Sequence, residues 1–254
     1  MLLVDAGNTR IKWASVEHDA LDFSNTGCAA RPEEGFQSFA DEAWGALPRP
    51  DRVVIANVAG QSFGDKLAAW VKKTWDLRAE FVVPQRAGFG IRNAYVEPGK
   101  LGVDRWAAMV AAYHHVKGAA CVIDCGTAIT IDILTKSGEH QGGLIVPGLT
   151  MMRHSLVDNT KGILCEAPRA SGKPTILARD TQGGVQGGTL YAAVAVIDRV
   201  VADVAAEIRG EMTCVITGGD APALLVLLAG TYRHEPDLVL QGLAIIAATL
   251  SPSR

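Results

Sequence analysis

Two short turns in the chain place an acid two residues before a glycine. Asp5 and Gly7 follow one apolar run, and Asp124 and Gly126 follow another. Glycine lets backbone N–H groups approach a phosphate closely, and a nearby carboxylate can hold Mg²⁺ or one of its water ligands. The pattern predicts two phosphate-binding turns, although each turn taken alone is more simply an ordinary hairpin turn that contains Asp and Gly.

The two turns lie 119 residues apart, close to half of the 254-residue chain. Both have a strand-like run on either side, as in LLVDAGNTRIKWA and CVIDCGTAITIDI. A third glycine turn follows a late apolar strand, in VITGGDA from Val215 to Ala221. This repetition favours a duplicated α/β domain, with one half over residues 1–117 and the other over 118–254.

Other nucleotide-binding signatures are absent from the sequence. Gly172 and Lys173 are followed by Pro174, so the Walker A motif is not completed. No G-x-G-x-x-G follows a predicted strand. We therefore expect a nucleotide to be held by opposed hairpins from the two halves.

A candidate for general-base chemistry opens a predicted helix from Asp104 to Val116. Phosphoryl transfer to an alcohol needs positioning, charge neutralisation and a carboxylate that accepts the hydroxyl proton. Asp104 can serve as that carboxylate, and Arg105 beside it is a fixed cation suited to a carboxylate or a phosphate. An Asp at a helix start is also a common N-cap, and the two roles are compatible because the helix N-terminus and the arginine both favour the ionised form.

The composition argues against several classes of protein. Lys and Arg number 24 against 27 Asp and Glu, a net charge of -3, which does not favour a nucleic-acid or membrane surface. No apolar stretch approaches the ~18 residues of a membrane span, and Asp5 lies where a signal peptide would have its apolar core. The five cysteines are odd in number and scattered, which indicates reduced thiols. We expect a cytosolic protein without nucleic-acid or membrane partners.

Five segments carry the glycines and acids described above and follow one another over nearly the whole chain. They are Asp5 to Lys12, Gly102 to Trp106, Asp124 to Ala128, Gly142 to Gly148 and Thr217 to Gly219. In this order they resemble the motif series of type III pantothenate kinases, a family of the actin, sugar kinase and Hsp70-like ATPase fold group. The resemblance implies an α/β fold of two similar actin-like (RNase H-like) lobes with a nucleotide cleft between them.

The same resemblance implies an activity, the ATP-dependent phosphorylation of pantothenate to 4′-phosphopantothenate at the start of coenzyme A biosynthesis. Asp104 matches the family's catalytic base on the primary hydroxyl of pantothenate. The positions that match substrate contacts are Tyr95, Gly102, Val103, Asp104 and Arg105. From the local sequence alone, Tyr95 is an ordinary half-buried aromatic residue.

The resemblance also assigns the nucleotide and its cations. The positions implied to bind ATP are Asp5, Ala6, Gly7, Asn8, Thr9, Arg10, Ile11, Lys12, Trp13 and Thr127. Asp124 matches the site of a monovalent cation, K⁺ or NH₄⁺, and Asp5 is expected near Mg²⁺. A lysine on a strand, such as Lys12, is more often simply solvated.

The segment from Asp180 to Gly188 resembles the family's dimer interface, where the threonine that matches Thr181 reaches the pantothenate of the partner in a homodimer. Asp180 replaces a common Asn and Gly187 a common Ser. Glycines four residues apart would form a flat strip on a predicted helix from Thr181 to Ile208. The alternative is a helix that begins only at Thr189, with the glycines in a loop.

Three functions from different classes follow from these observations. The first is the kinase. The second is a regulatory accessory factor that keeps the fold without kinase activity, which the presence of Asp104 disfavours. The third is an ATPase switch of the Hsp70 or actin type. The short chain disfavours it, because there is no room for a substrate-binding domain or large insertions.

Overall fold

The computed structural model describes residues 1–17, 22–163, 177–208 and 210–250. The chain divides into two compact units. Unit 1 comprises Met1–Lys117, Lys136–Gly142 and Asp237–Arg254. Unit 2 comprises Gly118–Thr135 and Gly143–Pro236. The predicted loop around Pro168, Gly172 and Pro174 lies outside the described residues, as does Cys165.

Unit 1 is built on a five-stranded sheet. Its strands are β1 (Leu2–Ala6), β2 (Arg10–Val16), β3 (Phe23–Ala30), β4 (Val53–Asn57) and β5 (Ala79–Phe81). The strand order is β3-β2-β1-β4-β5, with β1, β2 and β3 antiparallel and β4 and β5 parallel to β1. The period of two along β1 puts Leu2, Val4 and Ala6 on the face that packs into the core.

Two helices and their aromatic side chains cover that face. They are α1 (Phe36–Trp44) and α2 (Gln61–Trp75). Trp13, Trp44 and Trp70 form a chain of edge-to-face contacts with centroids 5.8 and 5.6 Å apart. This cluster fixes the sheet from which the first acid–glycine turn emerges.

A small hairpin and a third helix complete the first part of unit 1. The hairpin pairs β6 (Ala87–Gly88) with β7 (Ile91–Arg92), and α3 runs over Val103–His115 after a 3₁₀ turn at Pro98–Lys100. The middle of α3, from Trp106 to Ala112, is buried throughout. Its first turn is therefore held firmly in place.

Unit 2 repeats the same arrangement with a second five-stranded sheet. Its strands are β8 (Ala119–Cys125), β9 (Ala128–Leu134), β10 (His140–Pro147), β11 (Met212–Thr217) and β12 (Tyr232–His234). The order is β10-β9-β8-β11-β12, with β8 antiparallel to β9 and parallel to β11. When the five strands of each sheet are numbered along the chain, their spatial order in both sheets is third, second, first, fourth, fifth. This common order confirms the prediction of an α/β fold with two similar lobes.

Three helices lie in the described part of unit 2. They are α4 (Leu149–Asn159), α5 (Thr181–Glu207) and α6 (Ala221–Leu225). The helix that contains the glycine strip begins at Thr181, as predicted, and not at Thr189. Its N-cap is Asp180, whose carboxylate accepts a hydrogen bond of 2.8 Å from the N–H of Gly183. Asp and Asn cap helices about equally well, so the departure from the common Asn leaves the helix start intact.

The last helix, α7 (Leu238–Thr249), belongs to unit 1, whereas the sequence boundary placed it in the second half. Gly242 of α7 lies so close to the carbonyl of Ala107 in α3 that a Cβ would overlap it. Arg52, just before β4, donates to the carbonyl of Ala247 at 2.8 Å. Lys136–Gly142 is the second departure from the boundary, because this segment, which includes the start of β10, packs within unit 1.

Candidate functional site

The first acid–glycine turn joins β1 to β2 at the end of the unit 1 sheet. The N–H of Gly7 donates to the carbonyl of Arg10 at 2.9 Å, and a Cβ at Gly7 would lie 2.9 Å from the same oxygen. Asn8, Thr9 and Arg10 are exposed. The turn therefore presents backbone and polar side chains to the surroundings, as a phosphate-binding turn must.

The side chains around this turn divide between the two faces of the sheet. Asp5 lies directly opposite Lys12 in the antiparallel register, and both are half-buried. Ile11 and Trp13 pack with the core of unit 1. Both residues are among those assigned to ATP, but their side chains pack in the core, so they support the turn and do not present a side chain to a ligand.

Arg31 holds the turn from the side. Its Nε donates to the carbonyl of Asn8 at 2.7 Å, and its backbone N–H donates to the carbonyl of Thr9 at 2.8 Å. Sequence reasoning missed this residue because it missed β3. The register of β3 brings Ala30 opposite Arg10 and so places Arg31 beside the turn.

The predicted base lies in the first turn of α3. Gly102 is the N-cap and Asp104 is the second helical residue, so the alternative role of Asp104 as N-cap is wrong. The Asp104 carboxylate accepts the N–H of Arg105 at 2.8 Å. A Cβ at Gly102 would lie 2.5 Å from the Asp104 Oδ1, so glycine is needed there for the carboxylate to keep this position. Val103, the first helical residue, is buried.

Tyr95 lies against Arg105, as their common assignment to the substrate requires. The Arg105 Nη1 donates to the Tyr95 hydroxyl at 2.8 Å, and the guanidinium carbon lies 5.6 Å from the centre of the tyrosine ring. Arg105 is only 6% exposed, which makes it a fixed cation in a largely desolvated position. The structure thus groups a carboxylate, a guanidinium and a phenol at the start of one helix.

Two further residues fix the loop that carries Tyr95, and sequence reasoning missed both. The buried Asn93 accepts the N–H of Tyr95 at 2.9 Å, and its own amide donates to the carbonyl of Pro98 at 3.2 Å. Arg86 donates to the carbonyls of Tyr95 and Val96 at 2.7 and 2.5 Å. Neither residue belongs to a motif, so only the folded loop reveals them.

The second acid–glycine turn lies in unit 2, between β8 and β9. The N–H of Gly126 donates to the carbonyl of Ala128 at 3.1 Å. Gly148 donates to the carbonyl of Thr127 at 3.0 Å, and a Cβ at Gly148 would overlap the carbonyls of Gly126 and Thr127. The glycine motif from Gly142 to Gly148 thus ends against this turn.

The third glycine turn closes on the same place. Gly218 has φ +96°, and a Cβ there would overlap the carbonyl of Cys125 and lie 2.5 Å from the Asp124 Oδ1. The N–H of Asp220 donates to the carbonyl of Cys125 at 2.9 Å. Three glycine motifs that are far apart in the chain therefore meet at the turn that follows Asp124.

The donors around Asp124 are oxygens. Burial raises the pKa of the Cys125 thiol, and the carboxylates of Asp124 and Asp220 raise it further, so this sulfur stays protonated at neutral pH. Carboxylate and carbonyl oxygens suit hard cations, and carbonyl oxygens coordinate K⁺ in proteins. The chemistry of this donor set therefore fits the monovalent cation assigned to Asp124.

No group of three or more His, Cys, Asp or Glu side chains with the geometry of a metal site occurs within the described parts of the chain. Mg²⁺ in phosphoryl-transfer enzymes is commonly held by one or two carboxylates together with substrate phosphates. A single half-buried carboxylate such as Asp5 fits that mode of binding.

Within the part of the chain that the structure describes, every helix is too short or too polar to cross a bilayer.

Thr181 is the exposed first residue of α5. Gly184 and Gly188 are exposed on the same helix, and a Cβ at either position would meet nothing within 4 Å. Gly187 and Thr189 of the same helix are buried. The glycine strip is therefore a smooth, accessible surface next to Thr181.

Solved structures identify the class to which this fold belongs. A Baf family protein from Campylobacter jejuni is 19% identical with a TM-score of 0.58, and the alignment covers 97% of this chain and 98% of that protein. A protein from Sinorhizobium meliloti described as a 2-dehydro-3-deoxygalactonokinase is 15% identical with a TM-score of 0.55, over 97% of both chains. The two units are the lobes of an actin-like fold.

Sequence comparison identifies the family within that class. The profile of the type III pantothenate kinase family matches residues 1–203. The type III pantothenate kinase of Nitrosococcus oceani is 45% identical over 261 aligned residues, which cover 100% of this chain and 96% of the relative. The chain belongs to the type III pantothenate kinase family, and it is a kinase.

Proposed function

We infer that the protein transfers a phosphoryl group from ATP to the primary hydroxyl of pantothenate, which gives 4′-phosphopantothenate at the start of coenzyme A biosynthesis. The observation that carries this inference is the grouping of Asp104, Arg105 and Tyr95 at the start of α3 in a chain of this family. A carboxylate can accept the hydroxyl proton of an alcohol substrate, and a fixed cation and a phenol can bind the carboxylate of the same substrate.

In the proposed reaction, Asp104 accepts the proton of the attacking hydroxyl. The carboxylate lies in the first turn of α3, where the helix dipole and its hydrogen bond from the Arg105 N–H stabilise the ionised form. A weak base suffices because phosphoryl transfer passes through a loose transition state in which the proton leaves late. Arg105 and Tyr95 orient the substrate, and Gly102 and Val103 line it with backbone.

We assign the ATP phosphates to the turn from Asp5 to Lys12 in unit 1 and to Thr127 in unit 2. The support is the exposed backbone of the first turn and the position of Thr127 at the glycine-enclosed second turn. Asp5 would hold Mg²⁺, and Asp124 would hold K⁺ or NH₄⁺. When bound, these cations neutralise phosphate charge.

The decisive experiment measures ADP formation by the purified protein with ATP, Mg²⁺, K⁺ and pantothenate. We expect turnover that depends on pantothenate and falls sharply when Na⁺ replaces K⁺. Asp104→Asn keeps the oxygen that accepts the Arg105 N–H but loses the base, so kcat should fall about a hundredfold or more. Asp65→Asn is the matched control, since Asp65 lies early in α2 and contacts Gln61.

Two results would overturn the kinase assignment in different ways. ADP formation that is indifferent to pantothenate would identify an ATPase of the actin or Hsp70 type. No ADP formation under any of these conditions would favour the regulatory accessory factor. Equal activity of Asp104→Asn and the unchanged protein would leave the kinase in place and remove Asp104 as its base.

We further propose a homodimer in which Thr181 contacts the pantothenate of the partner subunit. The smooth exposed strip of Gly184 and Gly188 beside Thr181 supports this arrangement, because a second copy can approach the helix backbone closely there. Light scattering should show a dimer, and Gly188→Arg should shift it to a monomer with a higher KM for pantothenate. Gly162→Arg, at another open glycine of unit 2, is the control. A monomer with unchanged KM would remove Thr181 from the site.

We also propose that the enzyme works in the cytoplasm. Cys28, Cys121, Cys125 and Cys214 are free thiols, as expected in a reducing compartment. Cys121 and Cys214 are register partners on adjacent strands and remain unlinked.

A further inference from the structure

His140 packs on the tyrosine that is assigned to the substrate. Its imidazole lies parallel to the Tyr95 ring, with an interplanar angle of 14° and centroids 6.2 Å apart. The His140 Nδ1 accepts the N–H of Ala94, the residue before Tyr95, at 3.4 Å. His140 is 4% exposed, so its ring is confined to this position.

The chain brings His140 there by an unusual route. The segment Lys136–Gly142 runs from the turn after β9 into the start of β10, both strands of the unit 2 sheet, but it packs within unit 1. Gly138 has φ +81°, its carbonyl accepts the N–H of Arg92 at 2.9 Å, and a Cβ there would overlap the carbonyl of Gly90. An ion pair of 3.2 Å between Arg92 and Glu139 adds a second link. This docking fixes the segment against β7, two residues before His140.

Tyr95 is thus held on three sides. Arg105 binds its hydroxyl, Arg86 and Asn93 bind its backbone, and His140 covers its ring and the preceding N–H. Two groups face the ring itself, the His140 imidazole and the Arg105 guanidinium. Removing the imidazole would leave space beside the ring, into which the ring could tilt so that its hydroxyl leaves Arg105.

We propose that His140 is a positioning residue for pantothenate. It holds the Tyr95 ring in the plane where the hydroxyl stays on the Arg105 guanidinium, and so it presents both groups to the substrate together. The proposal rests on the assignment of Tyr95 and Arg105 to pantothenate. His140 makes no contact with the reacting atoms in this account, since it acts through Tyr95.

The test compares steady-state constants for both substrates in a set of variants of the full-length protein. His140→Ala should raise the KM for pantothenate about tenfold, with the KM for ATP and kcat changed less than about twofold, the split expected when substrate binding alone is lost. His140→Phe keeps the stacked ring without the Nδ1 acceptor and should recover most of the loss. His114→Ala, an exposed histidine on α3, is the control and should leave the KM for pantothenate unchanged.

A double-mutant cycle separates positioning from a general loss of structure. Because His140 acts through Tyr95, His140→Ala should have little further effect on the KM for pantothenate in a Tyr95→Ala background. Equal effects in both backgrounds would overturn the proposal, as would a lower melting temperature with an unchanged KM for pantothenate. Equal increases in the KM for both substrates would overturn it too.

The same set of variants distinguishes the proposed role of His140 from the assignment of Tyr95 to pantothenate, on which that role rests. If Tyr95→Ala raises the KM for pantothenate and no His140 variant does, only the role of His140 is wrong. If Tyr95→Ala itself leaves that KM unchanged, the assignment of Tyr95 to the substrate is wrong and the role of His140 fails with it.

Discussion

The two acid–glycine turns are nearly identical in sequence pattern and differ greatly in their surroundings. The turn of unit 2 is enclosed except at the exposed Thr127, because Gly148 and Gly218 bring backbone against it more closely than any side chain would allow. The turn of unit 1 is open, with Asn8 and Thr9 exposed and Arg31 binding two of its carbonyls from one side. The two units therefore share the hairpin but not its packing.

The largest effect should come from filling the enclosed turn. Gly218→Ala introduces a Cβ that overlaps the Cys125 carbonyl and imposes a left-handed backbone on alanine, so we expect a loss of about 3 kcal/mol in the free energy of unfolding. Urea denaturation measures this loss. Gly142→Ala is the control, since its φ of +104° gives the strain without an atom within 4 Å. Equal losses for the two variants would mean that the turn is not enclosed.

A smaller effect should follow from releasing the open turn. Arg31→Ala removes the donor to the Asn8 carbonyl, so the turn should lose order and the KM for ATP should rise about fivefold, roughly 1 kcal/mol. Steady-state kinetics with varied ATP would measure the change. Arg49→Ala, which removes an equivalent 2.7 Å bond to the Trp75 carbonyl elsewhere in unit 1, should leave the KM for ATP unchanged. A similar rise in both variants would show a general loosening of unit 1.

The smallest effect should come from Gly7→Ala. The added Cβ would lie 2.9 Å from the Arg10 carbonyl, but Gly7 does not have the left-handed backbone that strains Gly218→Ala, so the cost should stay below about 1 kcal/mol. Thermal unfolding of Gly7→Ala and Gly218→Ala, measured side by side, would show how much less the first turn is affected than the second. A loss as large as that of Gly218→Ala would contradict the description of the first turn as open.

Much of the fold follows from the sequence because its main elements have strong local patterns. The paired apolar runs around Asp5 and Asp124 gave both hairpins, and α5 begins where its glycines predict. The edge strand β3 was missed because residues 23–30 are largely exposed and lack an alternating apolar face. Its position depends on pairing with β2, where the Trp13 side chain occupies the space over Gly27. Such a strand is defined by its neighbour and not by its own residues.

The candidate site was predictable to the extent that its residues lie close together in the chain. Asp104 and Arg105 are adjacent, and Tyr95 entered only through the family resemblance. The contact of His140 with Ala94 joins residues 46 apart, and nothing in the local sequence of either indicates it. The N-cap alternative for Asp104 was wrong by two positions, because acidic residues are favoured both at the cap and in the first turn of a helix.

The position of α7 has a consequence for how the protein is made. Unit 1 contains β1, yet it also needs α7, whose Gly242 fits against Ala107 and whose Ala247 carbonyl binds Arg52. During translation the face of the sheet that α7 covers therefore stays exposed until α7 has been made, by which time residues 143–236 of unit 2 have already been made. A truncation before α7 would spare every residue assigned above to catalysis and still leave unit 1 without its covering helix.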